Sequence, residues 1–142
     1  MNSTGPNNNA TIAIGNTIAE MRKVVDFVED FGAAHKIPQT ITNTLNLCLD
    51  ELLNNTISYG YEDQDSHAIL ITLSFSGDAM KVEIQDDGKP FDPRKQSFSA
   101  LKGKLGSRKI SGLGIYFVKM LIDEIDYARK GQYNITKINK KL

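Results

Sequence analysis

The chain has 142 residues, about one domain's worth and enough to bury an apolar core without disulfide or metal staples. Lys plus Arg and Asp plus Glu both number 17, so no surplus positive charge is present to neutralise a run of nucleic-acid phosphates, and DNA or RNA binding is disfavoured as the main activity. The lone Cys48 rules out an internal disulfide and speaks against a cysteine-based zinc site; no apolar run is long enough to cross a bilayer, and the polar stretch Met1 to Asn9 lacks the pattern of a signal peptide, so a soluble cytoplasmic protein with no membrane partner is expected.

Residues 1–10 are rich in Asn, Ser, Gly and Pro and read as a flexible tail, leaving 11–142 as a single domain. Thr11 to Ile14 is a short β-prone run. From Ile18, apolar residues recur at Met21, Val24, Val25, Val28 and Phe31 with helical spacing. Pro38 suits the first turn of a second helix, after a tight connection His35 to Ile37. Ile41, Leu45, Cys48, Leu49, Leu52, Leu53 and Ile57 give that helix its apolar face, and Gly60 marks its stop. His67 to Phe75 and Met80 to Gln85 are β-rich runs joined by Ser76-Gly77-Asp78, a hairpin. Lys89 to Ser111 carries prolines, glycines and basic residues without a period, and reads as a lid. After Gly112-Leu113-Gly114 a third helix takes Ile115, Val118, Leu121, Ile122 and Ile125 as its inward stripe, and Tyr133 to Asn139 reads as a closing strand. Strands and helices do not alternate strictly, so the expected fold is an α/β (α+β) two-layer sandwich, with helices on one face of a mixed, mostly antiparallel sheet.

Three short motifs can carry chemistry. In Asp50-Glu51-Leu52-Leu53-Asn54-Asn55, Glu51 and Asn55 stack one helical turn apart, with Cβ atoms about 5 to 6 Å from each other. An amide oxygen and a carboxylate so placed suit a Mg²⁺ shell and a proton acceptor, although Asp50 and Asn54 have the same spacing and either pair also fits a solvated helix face. In Asp86-Asp87-Gly88-Lys89-Pro90-Phe91-Asp92-Pro93, a carboxylate at a strand end can accept from an exocyclic amine while Gly88 admits a flat ring; ordinary turn chemistry reads the same way. In Ser111-Gly112-Leu113-Gly114, backbone N–H groups entering a helix can converge on phosphate oxygens, although two glycines before a helix are also common in plain loops.

Taken in order, Glu51 to Asn55, Asp86-x-Gly88-x-Pro90-Phe91-Asp92-Pro93 and Gly112-Leu113-Gly114-Ile115-Tyr116 resemble the three nucleotide-binding boxes of the Bergerat-fold (GHKL) ATPase superfamily. Within it, Pro-Phe-Asp-Pro, Gly60-Tyr61 and Asp123-Glu124-Ile125-Asp126-Tyr127 are most similar to the anti-sigma-factor serine/threonine kinases, over about Ala10 to Leu142. The resemblance chooses the register of the first motif and implies roles. Glu51 is the general base toward a substrate serine, Asn55 binds Mg²⁺, and Asp86 contacts adenine. Gly88, Pro90, Ser111, Gly112, Leu113 and Gly114 shape the ATP pocket, and Lys102, Lys104, Arg108 or Lys109 reaches phosphate. It also implies a STAS-type antagonist as phosphoacceptor, a sigma factor as a further partner, and a homodimer. Ser111 and Tyr59 depart from the glycine and histidine of many relatives. A non-catalytic ATP-binding module for partner switching and a plain ATPase are the competing functions. His35 and His67 receive no role, and Cys48 is expected in the core.

Overall fold

The computed structural model describes residues 8–95 and 110–142, and only the backbone of residues 110–113. Strand β1 (Asn9–Gly15) leads through a 3-10 turn, Ile18–Glu20, into α1 (Met21–Ala34), which is followed by α2 (Gln39–Tyr59). The hairpin β2 (Ala68–Phe75) and β3 (Ala79–Asp86) comes next, then a 3-10 turn at Pro93–Lys95, α3 (Ile110–Leu121), and a second hairpin, β4 (Glu124–Lys130) and β5 (Tyr133–Lys141). The strands form one five-stranded sheet in the order β1-β2-β3-β5-β4. Every pairing among the described residues is antiparallel, so the expected two-layer sandwich is present without the parallel element that a mixed sheet would contain.

One face of this sheet is apolar because the strands alternate in step. Ile69, Ile71 and Leu73 of β2, Met80, Val82 and Ile84 of β3 and Ile138 of β5 all point inward and are buried. They meet Val24, Val28 and Phe31 of α1, Leu45, Cys48, Leu49, Leu52 and Leu53 of α2, and Ile115 and Val118 of α3 in one core. Each fully buried Leu or Ile here contributes roughly 1.5–3 kcal/mol through transfer from water. The opposite face is polar: Glu83, Lys137 and Asp126 lie in one cross-strand row.

Several elements differ from expectation at their edges. β1 begins at Asn9, two residues earlier, because Asn9 and Ala10 pair with Ser74 and Leu73. Val25 is 40% exposed, since the stripe that α1 buries runs through Val24, Val28 and Phe31. Pro38 precedes α2 in an extended conformation (ψ 141°), as the N-cap rather than within the first turn. The chain reverses between α1 and α2 on Lys36, at φ 56°, with Ile37 N–H donating back to the Gly32 carbonyl at 2.9 Å. The third helix ends at Leu121, so Ile125 belongs to β4. There it faces Ile138 across the sheet.

The position of the site follows from the sheet's inner rows. Val82, Ile138 and Ile125 form an apolar row across β3, β5 and β4; two rows further along, the same register brings Asp86, Asn134 and Arg129 into line. The inner face thus turns from apolar to polar at one end of the sheet, close to the chain that follows α2.

Candidate functional site

Asp86 is the last residue of β3 and is only 4% exposed. Its Oδ1 accepts the Gly88 N–H and the Asn134 Nδ2–H, each at 2.9 Å. Among the described residues no donor reaches Oδ2. Burial is the main influence on this carboxyl and raises its pKa, against the lowering effect of the bonds from Asn134 and Gly88.

Asn134 does more than hold Asp86. Its Nδ2 also donates to the Lys89 carbonyl at 2.8 Å, while its Oδ1 accepts from the Tyr127 hydroxyl and, at 3.4 Å, from the Phe91 N–H. Pro90 therefore sits between two backbone groups tied to one buried amide. Arg129 adds a bond from Nη1 to the Gly88 carbonyl at 2.7 Å. The turn 87–91 is in this way fastened from the β4–β5 hairpin, by residues that sequence reasoning missed. Gly88 is required for close packing: a Cβ there would lie 2.9 Å from the Gly60 carbonyl oxygen, beside the Lys89 N–H that donates to that oxygen at 2.8 Å.

The chain after α2 forms the neighbouring wall. The Tyr61 ring stacks on His67 with centroids 4.4 Å apart. Its hydroxyl is buried, and burial, then the carboxylates of Asp86 and Asp87, push its pKa far above the usual phenol range.

Glu51 and Asn55 lie one turn apart in α2, both partly exposed. Glu51 packs directly on α3: a Cβ at Gly114 would fall 1.8 Å from Glu51 Oε1 and 2.5 Å from Cδ. Gly114 is there because no other side chain leaves room for this carboxylate. Burial, then the neighbouring Asp50, raises the pKa of Glu51, which moves it toward the range where a carboxylate takes a proton effectively. The Asn55 side chain makes no hydrogen bond among the described residues, leaving its amide oxygen for a ligand.

α3 starts at Ile110, so Ser111, Gly112, Leu113 and Gly114 belong to its first turns and not to a loop before it. The reason is geometric: the first four N–H groups of a helix have no intrahelical acceptor, so a backbone that presents amides to an anion can already be helical. Lys102, Lys104, Arg108 and Lys109, together with most of the expected lid, lie outside the described residues. Cys48 is fully buried, as expected, and burial raises its thiol pKa to about 11. His35 packs between the rings of Phe31 and Phe75.

The residues present fit a purine nucleotide and its metal. Asp86 Oδ2 receives no donor among the described residues and lies on the wall near Gly88, and the oxygen donor of Asn55 is of the type that suits Mg²⁺. No helix among the described residues is long and apolar enough to cross a membrane.

Comparison with known proteins gives the family of the chain. Residues 14–140 match the model of the histidine kinase-like ATPase domain. The serine/threonine-protein kinase BtrW of Bordetella bronchiseptica is 29% identical over 91 residues, an alignment covering 64% of this chain and 64% of that protein.

Proposed function

The chain belongs to the histidine kinase-like ATPase domain family, and from that premise we propose that it is an ATP- and Mg²⁺-dependent protein serine/threonine kinase. The observation that carries the proposal is the contact of Glu51 with Gly114. It places a carboxylate of raised pKa beside the N-terminal turns of α3, where backbone amides suit a phosphate chain. The similarity to a protein named a serine/threonine-protein kinase supports phosphoryl transfer to a hydroxyl over hydrolysis alone.

In this reading Asp86 accepts a hydrogen bond from the adenine amine through Oδ2, because Oδ1 is already engaged. Gly88 and Pro90 form the ring's floor, and the first amides of α3 receive phosphate oxygens. Asn55 holds the metal through its amide oxygen. Glu51 would take the proton from the acceptor serine as its oxygen bonds to the γ-phosphorus of bound Mg-ATP, the bond from that phosphorus to the β-phosphate oxygen breaks and ADP leaves, with the metal's charge neutralising the leaving group. The proposed acceptor is a STAS-type antagonist in a cytoplasmic partner-switching pathway, with a sigma factor as a further partner of a homodimer. These assignments rest on the kinase-like motifs around Asp92 and Asp123.

The test is calorimetric titration of Mg-ATP into the wild type and the Asn55→Ala variant, followed by transfer of labelled phosphate to candidate STAS proteins with and without Glu51→Ala. Saturable binding weakened about tenfold or more by Asn55→Ala, and transfer abolished by Glu51→Ala, are expected. Transfer that survives Glu51→Ala removes Glu51 as the base; absence of wild-type binding refutes the proposed pocket.

A further inference from the structure

His67 stands just before β2, with its ring 16% exposed, between two carboxylates. Its Nε2 is 2.8 Å from Asp63 Oδ1, and its Nδ1 is 3.0 Å from Asp87 Oδ2 and 3.1 Å from Asp87 Oδ1. Asp63 belongs to the chain that leaves α2, whereas Asp87 follows Asp86 in the turn that ends β3. A neutral imidazole has one N–H and one lone pair, so it can donate to only one carboxylate and must turn its lone pair on the other. Both ring nitrogens facing carboxylate oxygens at about 3 Å is the geometry of the imidazolium cation.

The bridge closes a collar. The turn after β3 is joined to the chain after α2 by the Lys89 N–H to the Gly60 carbonyl at 2.8 Å, by the exposed Lys89–Glu62 ion pair at 3.2 Å, and by His67. The collar is anchored to the end of β1, where Asn16 Oδ1 accepts the His67 backbone N–H at 3.0 Å. The groups facing the ring are Asp63, Asp87 and the stacked Tyr61, with Asp86 one residue further on. The third link runs through an imidazole, the side chain whose ordinary pKa lies nearest neutral pH.

We propose that Asp63, His67 and Asp87 form a proton-dependent latch that clamps the chain after α2 onto the adenine-side turn, making His67 a positioning residue for Asp86 and Gly88. The effect on nucleotide binding rests on the pocket reading above; the latch itself does not. Hydrogen bonds to Asp63 and then to Asp87 raise the His67 pKa above its ordinary 6.5. A raised histidine pKa means that the latch is fully closed below the ordinary value and opens as pH rises through the raised one. The hydrogen bond from His67 in turn lowers the pKa of Asp63 below its ordinary 3.8.

The test follows the protection of the Lys89 amide against hydrogen exchange in nucleotide-free protein, and Mg-ATP affinity in parallel, from about pH 5.5 to about pH 8.5. In the wild type both should fall about fivefold across that range, an effect scaled to a largely surface-type ion pair. His67→Gln should hold both at the high-pH level throughout. Asp63→Asn should move the midpoint to lower pH, a change that loss of mere packing would not produce. Lys89 protection that is flat with pH, or that keeps its wild-type profile in His67→Gln, overturns the latch whatever ATP does. Protection that follows the expected profile while Mg-ATP fails to bind supports the latch and overturns the pocket.

Discussion

The two walls of the candidate site are built by opposite means. On the sheet side, Asp86, Gly88, Lys89 and Phe91 are fastened to the buried amide of Asn134, with Tyr127 and Arg129 completing the set. On the helix side, Glu51 is placed by a steric fit to Gly114, and Asn55 has no polar partner among the described residues. A buried network of several hydrogen bonds fixes geometry before any ligand arrives, while a carboxylate resting on a glycine keeps the freedom to accept and release a proton. The sheet wall is therefore rigid by hydrogen bonding and the helix wall is set by packing, so mutations in the two should fail differently.

The sheet wall should give the largest effect. Asn134→Ala strips partners from Asp86, from the Lys89 carbonyl and from Tyr127 at a position only 4% exposed, and should destabilise the fold by about 3 kcal/mol. Urea unfolding measures it; a loss under about 1 kcal/mol would mean that water replaces the amide and that the wall is not rigid. On the helix wall, Gly114→Ala forces a Cβ into Glu51 and should cost about 2 kcal/mol through overpacking. Glu51→Ala in the same chain should return most of that stability while leaving phosphoryl transfer absent. If the two changes are simply additive in a double-mutant cycle, the contact does not place Glu51.

The same contrast explains what was legible in the sequence. The apolar faces of α1 and α2 and the alternation of β2 and β3 announce themselves because packing sets them, and the motif residues Glu51 and Gly114 meet in space, as do Asp86 and Gly88. β5 was indistinct because two of its inner positions, Asn134 and Thr136, are polar. Asn134 holds Asp86 and the turn that follows it, so the alternation breaks at the candidate site. β4 was hidden because Ile125 continues the spacing of Val118 and Ile122, and neither Gly nor Pro separates α3 from the strand. Nor could His67 have been found by a motif, since its partners lie 4 and 20 residues away and are joined only by the fold. The signal for Asn134 and Arg129 was register: both line up with Asp86 once the sheet order is known.

Asp86→Asn sharpens the comparison with the smallest expected change in stability. An asparagine Oδ1 can accept the same bonds from Gly88 and Asn134, so the wall's geometry should survive while its buried charge is removed. Burial, the leading influence, raises the Asp86 pKa above the ordinary 3.8. For an acid this means that folding favours the protonated form: the contribution is fully present below the unfolded pKa and is lost as pH rises through the folded one. At neutral pH the ionised carboxylate therefore costs stability, and Asp86→Asn should stabilise the nucleotide-free protein by about 1 kcal/mol, a gain that fades in acid. Thermal unfolding across a pH series measures it, and Mg-ATP affinity should drop in the same variant. A gain in stability with a loss of affinity identifies Asp86 as a group strained for its ligand. A loss of stability would instead show that its hydrogen bonds outweigh its desolvation and that its charge supports the fold.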